Sequence, residues 1–597
     1  MTFFYICSNN GDDSKSGDFD SPFKTIQHAA SLAVPGDSIL VKPGIYRERI
    51  SPINSGTRKK PIIYKSIEKN QAIVRGSIPW KPSEFINNIS SGKIDSTLFP
   101  DSSHVDGSNP FLIPLSVTPF KRNGKPESLM REVTSSDPNM TYCLGQVFVN
   151  DLLFKQCPYK NEMTETNNSW FFDNNDNTLY INGASENDNI EITNQRRLFA
   201  PHKRGLKYIF VDGFTFERCA NQYPNKFWSN KENQQAGAVG TRSGKYWFIQ
   251  NNIIRFANSI GIDWGNEGKS SQDLEIGSNG KAGGTYKNII KNNIICDNGA
   301  AGTAAYMANR FEFTNNIVER NNNLFFYGKQ RWESAGLKVH RPKNSTISHN
   351  IVRNNYCHGI WSDQGPGVGS LFSNNIILDN DGNGIDFEIG RKHKAIVTNN
   401  FFDNNENNIR FATSGGVLIQ NNTFINSRSA DIQTIIFKRP DKWDSLNVEI
   451  FYNLFLHSPQ FLQLSPTDYT PKFLASRFFN YNTYFMNPKD KKFQVIYDYK
   501  TRISMDFDSW KEIFKDFNKN ENFDDKSLLL SPNDVQSSIS FENNQYSYNI
   551  DIKNDLPSFD VTNKLIVKTD YFSKEFDNKC ISGAIQNLQK HNNKFIL

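Results

Sequence analysis

The sequence predicts an all-β chain coiled as a parallel β-helix, a solenoid whose turns each lay a strand on every one of its long sheets. Three observations carry that reading. Asparagine followed by apolar residues recurs at Asn252, Asn293, Asn316, Asn350, Asn375, Asn400 and Asn422, at intervals of 41, 23, 34, 25, 25 and 22 residues. A period in the low twenties, built from short β-branched runs between Asn or Gly turns, is that of stacked strands and not of helices. Nine residues after most of these asparagines comes a second alignable strand: GIDWG from Gly261, GTAAY from Gly302, GLKVH from Gly336, GIWSD from Gly359, GIDFE from Gly384 and, one residue early, NIRFA from Asn408. Asparagine tolerates unusual backbone angles at corners, and stacked Asn side chains hydrogen-bond along a coil. The repeating asparagines are therefore expected to be structural.

Strand side chains alternate faces, so the second residue of each five points inward: Ile262, Thr303, Leu337, Ile360, Ile385 and Ile409 form one column, mostly apolar and β-branched. The third and fifth positions then point outward. They read Asp263, Ala304, Lys338, Trp361, Asp386 and Arg410 beside Gly265, Tyr306, His340, Asp363, Glu388 and Ala412. This outer strip concentrates groups that do chemistry. Two irregular intervals add long loops, GNEGKSSQDLEIGSNGKAGG after the Gly261 strand and a stretch containing LFFYGKQRW ahead of the Gly336 strand. Long loops in a regular solenoid usually carry function, and these are expected to wall a cleft over the strip.

Taken in order, residues 1–75 hold SPFKTIQHAASLAVPGDSILVKPGIYRERI, read as an amphipathic helix, a strand, a Pro-Gly turn and a strand. The helix is expected to cap the open end of the solenoid, which otherwise exposes apolar core and unpaired edges. In residues 76–200 the asparagine repeat is missing, and QVFVNDLLFKQ and WFFDNNDNTLYINGA read as hairpins of an inserted β-sandwich-like domain. The main ladder runs over 201–490, and 491–597 reads as a closing segment of β structure and loops.

Composition narrows the function classes. A chain of 597 residues exceeds one ordinary core, but a solenoid grows along its axis. A net charge of +6 with no Lys/Arg block argues against nucleic acid as a partner. No apolar run approaches a membrane span. Seven scattered cysteines without a CxxC pair argue against a disulfide scaffold or zinc site. MTFFYICSNNG lacks the basic and apolar regions of a signal peptide. The chain is thus expected to be cytoplasmic if complete, and secreted or periplasmic if a leader has been removed. A homo-oligomer is compatible with the sequence.

Asp363 and Glu388 each lie thirteen residues after their repeat's asparagine, so they stack on one outer face. Neighbouring strands are about 4.8 Å apart, and carboxylates about 5 Å apart suit a retaining double displacement at a glycosidic bond. Two like charges this close cannot both ionise easily, so one group becomes the proton donor. Spacing does not say which. His340, one turn away, is placed to hydrogen-bond the nucleophile or a sugar hydroxyl, and Trp361, Trp332 and Tyr306 offer flat surfaces for a sugar ring. Asp386 is placed to pair with Arg410 across one rung. A lyase or uronate epimerase would instead recruit Lys338, Arg410 and Asp263, but three acids at the centre of the strip repel a polyanionic substrate. A non-catalytic tailspike or adhesin is a third class.

The leader SPFKTIQHAASLAVPGDSILVKPGIYRE resembles that of right-handed parallel β-helix proteins. AGLKVH, GIWSDQG and IDFEIG resemble the active-site segments of glycoside hydrolase family 120, the β-xylosidase family, and QAGAVGTRSGKYWFIQNNII is similar to its segment at the start of the main ladder. The similarity runs from the leader to about residue 425. It implies Asp363 as nucleophile and Glu388 as general acid/base, and His340, Glu333 and Trp361 match as well. Gln364 departs from the family, which tends to have an aromatic residue there, and Asp386 and Arg410 add polar groups. The expectation is a retaining glycosidase acting on a neutral glycan, β-xylosidase foremost, with Glu333, Lys338, Tyr306, Asp386, Arg410 and Trp332 joining His340 and Trp361 around the substrate. The mechanism requires no cofactor, and a structural calcium held by loop acids is compatible with it.

Overall fold

The computed structural model describes the chain except for residues 100–108, 114–119, 123–124, 128–141, 222–236, 267–284, 325–333, 366, 391–393, 436–447, 465–477, 498–500, 516–523, 543–544, 562–565, 577, 587, 589–592 and 597. It divides into two compact units, Met1–Tyr306 with Arg320–Ala335, and Met307–Glu319 with Gly336–Leu597.

The first unit begins with the strand Phe3–Ile6 and the helix Ile26–Leu32, whose Thr25 side chain accepts from His28 N. Strands Ser38–Val41 and Gly44–Tyr46 follow on either side of the predicted Pro-Gly turn. Phe3–Ile6, Ser38–Val41, Ile62–Ser66, Ile209–Asp212, Phe248–Gln250 and Ile289–Lys291 pair in parallel, one to the next. A second parallel set runs Gly44–Tyr46, Ala72–Arg75, Phe214–Cys219, Ile253–Ala257 and Ile294–Cys296. Between Arg75 and Ile209 the chain leaves these sheets and builds a four-stranded and a five-stranded sheet, mostly antiparallel, and a two-stranded pair, Phe120–Arg122 with Lys125–Glu127. The two larger sheets enclose their own core of Trp80, Phe111, Val147, Trp170, Leu179 and Ile192. Where this insertion meets the parallel strands, buried Glu191 takes Arg47, Arg75 and Arg218, while Glu217 takes Arg75 and Arg255. Each buried carboxylate is thereby met by arginine, as burial of a charge requires.

A third parallel set of the first unit is Gly237–Gly240, Ile260–Asp263 and Ala301–Tyr306, and the second unit repeats this three-sheet pattern with greater regularity. Ile317–Glu319, Ile351–Arg353, Ile376–Leu378, Phe401–Asp403, Thr423–Ile425 and Leu454–Leu456 pair in parallel and in register. A second sheet stacks Thr346–Ser348, Leu371–Ser373, Ala395–Thr398 and Val417–Gln420 in the same way. The predicted inward column holds: Leu337, Ile360, Ile385 and Ile409 are fully buried, and Ile360, Ile385 and Ile409 are direct partners. Phe387 stacks on Phe411, and Phe402 on Phe424, which continues on Phe455.

The asparagines at the corners form the predicted ladder. Asn375 accepts from the backbone N of Asn350 at 3.0 Å and its amide at 2.9 Å, and donates to Ile347 O at 3.0 Å and to Asn400 Oδ1 at 2.9 Å. The same arrangement passes to Asn422, Asn453 and Asn482. A second ladder, Asn355, Asn380 and Asn405, occupies another corner and was not singled out by the sequence pattern. In the third sheet, which pairs His358–Asp363 with Ile385–Glu388, glycine stands at the strand starts because no Cβ fits: at Gly384 it would lie 2.6 Å from Asn408 O, and at Gly359 2.7 Å from Gly384 O.

The C-terminal segment differs from the expectation of strands and loops by containing the helix Phe507–Lys515. Asp506 accepts from Ser509 N at its start, and Phe507 and Trp510 are buried on one face, a local pattern overshadowed by the surrounding polar residues. Strands Val535–Glu542, Gln545–Ile552 and Asn593–Ile596 then form an antiparallel sheet. Its Tyr548, Ile550 and Ile552 pack with Phe401, Ile425 and Leu454. All seven cysteines are buried and none is joined in a disulfide.

Replacing Asn375 with leucine strands a buried N–H and a buried carbonyl and breaks the ladder in mid-run. The expected loss is about 3 kcal/mol or more, at roughly 1–3 kcal/mol per orphaned group. Urea unfolding of the variant beside the unmodified protein measures it.

Candidate active site

The site is built on one sheet of the second unit, in the order Ala335–His340, His358–Asp363, Ile385–Glu388, Asn407–Ala412 and Ala430–Ile435. Asp363 is the direct partner of Glu388, and Trp361 of Asp386. On the next rung Asp386 faces Arg410 and Glu388 faces Ala412. Each of the first four strands is followed by a residue of left-handed backbone, Arg341, Gln364, Ile389 and Thr413, with φ between 52 and 55°. These corners are tied to one another, Arg341 N to Asp363 O at 2.9 Å, Gly365 N to Glu388 O at 3.2 Å and Ile389 N to Ala412 O at 2.9 Å. The backbone ends of both acids are thereby fixed.

Although the strip lies on the outer side of the sheet, it is not solvated. Asp363 is 6% and Glu388 8% exposed, while Lys338, His340 and Asp386 are at 1% or below. Burial at this depth separates the pair from ordinary surface acids, because an unpaired charge there is costly.

The two carboxyls have opposite surroundings. Asp363 Oδ2 lies 3.3 Å from Lys338 Nζ and 3.3 Å from His340 Nε2. Its Oδ1 is buried and has no hydrogen-bond partner among the described residues. Burial alone would raise the Asp363 carboxyl, but the Lys338 ammonium and His340 outweigh it and hold the group well below the usual carboxylate range. Glu388 is pushed up to about 8, first by burial and then by repulsion from Asp363 and Asp386, against the opposing pull of Lys338 and Arg410. At neutral pH the site therefore holds one carboxylate and one carboxylic acid on adjacent rungs. Burial also lowers the His340 imidazole, against the attraction of Asp363, so it faces Asp363 largely neutral.

Of the other predicted residues, Lys338, Trp361, Asp386 and Arg410 join this cluster. Lys338 Nζ sits 3.1 Å from the centroid of the Trp361 ring, and His358 meets the ring edge-on at 5.2 Å, so one face of the indole is occupied. Asp386 is gripped by Arg410 through Nε at 3.0 Å and through Nη2. His358 Nε2 is 3.5 Å from Asp386 Oδ2, and its Nδ1 accepts from Asn383 N at 3.0 Å. His358 joins the cluster although the sequence reading passed over it, because it sits two residues before the aligned inward column and carries no repeat signal. Tyr306 is buried at the end of the strand Ala301–Tyr306 in the first unit, as is Asp263 at the end of Ile260–Asp263. Trp332 and Glu333 lie outside the described residues, as do most of the two predicted wall loops. Among the described residues, no group of three or more His, Cys, Asp or Glu is arranged to hold a metal ion, and no helix is long and apolar enough to cross a membrane.

Comparison with known proteins bears on the architecture. Residues 236–424 match the family described as right handed beta helix region. XylC, solved in complex with xylose, superposes with a TM-score of 0.73 at 20% identity, covering 100% of both chains. The fold is a right-handed parallel β-helix. A glycoside hydrolase structure superposes with a TM-score of 0.47 at 12% identity, covering 83% of this chain and 95% of its own. The uncharacterized protein YwoF of Bacillus subtilis is 32% identical over 74 residues, a stretch amounting to 12% of this chain and 16% of that protein. The present chain thus spans about a sixth of the length of the curated relative it matches.

The raised Glu388 has a consequence for stability. Its carboxyl holds its proton in the folded state up to about pH 8, whereas the unfolded chain releases it near 4.5. The unfolded state binds fewer protons in between, so stability falls as pH rises through that window. Glu388→Gln, which does not ionise, is expected to lose less melting temperature than the unmodified protein between about pH 5 and about pH 8, as read by thermal unfolding at both pH values.

Proposed function

We propose that this protein is a retaining glycoside hydrolase acting on a neutral glycan or oligosaccharide, with xylo-oligosaccharides the leading substrate and β-xylosidase the leading activity. The observation that carries the reading is the in-register pair Asp363 and Glu388, one held ionised and the other held protonated. Strand spacing sets them about 5 Å apart, within the separation used for double displacement and short of that needed to seat a water for inversion.

In the first step Asp363 attacks the anomeric carbon through Oδ1, the oxygen not engaged by Lys338 and His340. The bond from that carbon to the leaving oxygen breaks as Glu388 gives its proton to the departing group. The product is a glycosyl ester on Asp363. With its proton gone, Glu388 takes one from an incoming water, whose oxygen attacks the anomeric carbon and releases Asp363. Lys338 and His340 keep the nucleophile ionised and aimed. The resemblance of GIWSDQG and IDFEIG to family 120 assigns the same two roles, and the likeness to XylC supports a shared framework.

The lyase and epimerase reading has less support. Lys338, its strongest candidate for a base, is engaged with Asp363 and the Trp361 face, and Arg410 is engaged with Asp386. A substrate carboxylate would also meet Asp363 at close range, and like charges in a low-dielectric site repel strongly.

Purified protein is expected to release the aryl group from an aryl β-D-xyloside with retention of anomeric configuration, followed by NMR of the first-formed sugar. Glu388→Ala should cost about 10²- to 10⁴-fold in kcat and Asp363→Ala at least as much, with the basic limb of the pH profile near 8. An ultraviolet-absorbing unsaturated product from a uronate polymer, without aryl release from any of a panel of aryl glycosides, would overturn the hydrolase reading in favour of a lyase.

A further inference from the structure

Past Glu388 the strip changes character. The column His340, Asp363, Glu388 ends its polar run at Ala412, the direct partner of Glu388, and continues into Ile435. Ala412 is itself fully buried, so the polar run of this column stops at Glu388. Two residues earlier on the same face of that strand stands Arg410. Its guanidinium is not spent on its ion pair. Asp386 takes Nε and Nη2, and the two hydrogens on Nη1 have no acceptor among the described residues, while the side chain is 23% exposed.

Asp386 is fully buried, and His358 Nε2 lies 3.5 Å from the same Oδ2 that accepts from Arg410 Nη2. The planar fork of arginine, held along one edge by a carboxylate, is fixed in direction with its remaining donors pointing off the pair. Because Asp386 offsets the charge, what Arg410 presents is a directed donor and not a bare cation. That suits a hydroxyl of a neutral sugar better than a carboxylate.

The direction of the site follows from the roles proposed above, on which this inference rests. The nucleophile lies under the anomeric carbon and the acid/base beside the leaving oxygen, so the departing sugar extends from Glu388 away from Asp363, toward the strand Asn407–Ala412. We infer that Arg410 is a specificity-determining residue for the leaving group, its Nη1 donating to a hydroxyl oxygen of the sugar unit that departs, with Asp386 as its positioning residue.

The test compares kcat/KM on two substrates that share xylose as glycone and differ in what leaves: xylobiose, whose leaving group is a sugar, and 4-nitrophenyl β-D-xyloside, whose leaving group is an aryl ring. Arg410→Gln, and the paired Asp386→Asn with Arg410→Gln that leaves no unpaired charge, are assayed beside the unmodified protein. The xylobiose-to-aryl ratio should fall about tenfold or more in both, the range expected for one hydrogen bond to a charged donor, and Arg410→Lys should recover part of it. Equal losses on both substrates, with the ratio unchanged, overturn the inference and leave Arg410 as the structural partner of Asp386. Absence of release from both substrates by the unmodified protein overturns it together with the xylosidase reading on which it rests, which distinguishes the two failures.

Discussion

Register between successive turns is the constraint on which the rest of the molecule depends. A slip of one residue would carry a strand's entire inward set to the opposite face and separate Asp363 from Glu388. In the second unit that register is held at two corners by buried asparagines, each bonded to the turn before and the turn after. The amide suits this work because it offers donors and an acceptor on one short side chain. Aspartate or leucine supplies half of that at most. At the head of the third sheet, glycines with no space for a methyl group bring the turns close. The functional carboxyls inherit their alignment from residues that never approach a substrate.

Geometry alone would leave two equivalent acids, and the division of labour comes from their flanks. Asp363 has a lysine and a histidine on the turn before it, while Glu388 has two aspartates as its nearest acidic neighbours and an arginine already committed to one of them. Moving a positive charge by one rung would exchange the protonation preferences of the pair. The polar residues around the centre are therefore a coupled set. Lys338 serves Asp363 and shields one face of Trp361, and Asp386 at once orients Arg410 and raises Glu388.

Much of this was legible in the sequence because the period is written in side chains with a single physical job. The asparagine-apolar motif marked one corner, the leading glycine marked the next strand, and counting from either placed Asp363 above Glu388. The second asparagine ladder escaped notice because Asn355, Asn380 and Asn405 sit in stretches such as RNNY, LDND and DNNEN, where composition gives no reason to prefer one asparagine over its neighbour. His358 was missed for a related reason, since its role depends on a carboxylate one turn away. Burial of the outer strip could not be read either, because strand alternation distinguishes two faces but not what lies over the outer one. The helix Phe507–Lys515 is too short for its period to stand out against the polar residues around it.

The chain distance between the two acids has a consequence for how the protein is made. Asp363 and Glu388 are 25 residues apart and come from consecutive turns. Their flanking groups Lys338, His340 and Arg410 lie within one turn on either side. A coil whose contacts span one repeat assembles by adding turns to an existing edge, with little loop entropy lost at each addition. The constellation is thus complete once about four turns have left the ribosome and stacked, without waiting for the chain's end to return.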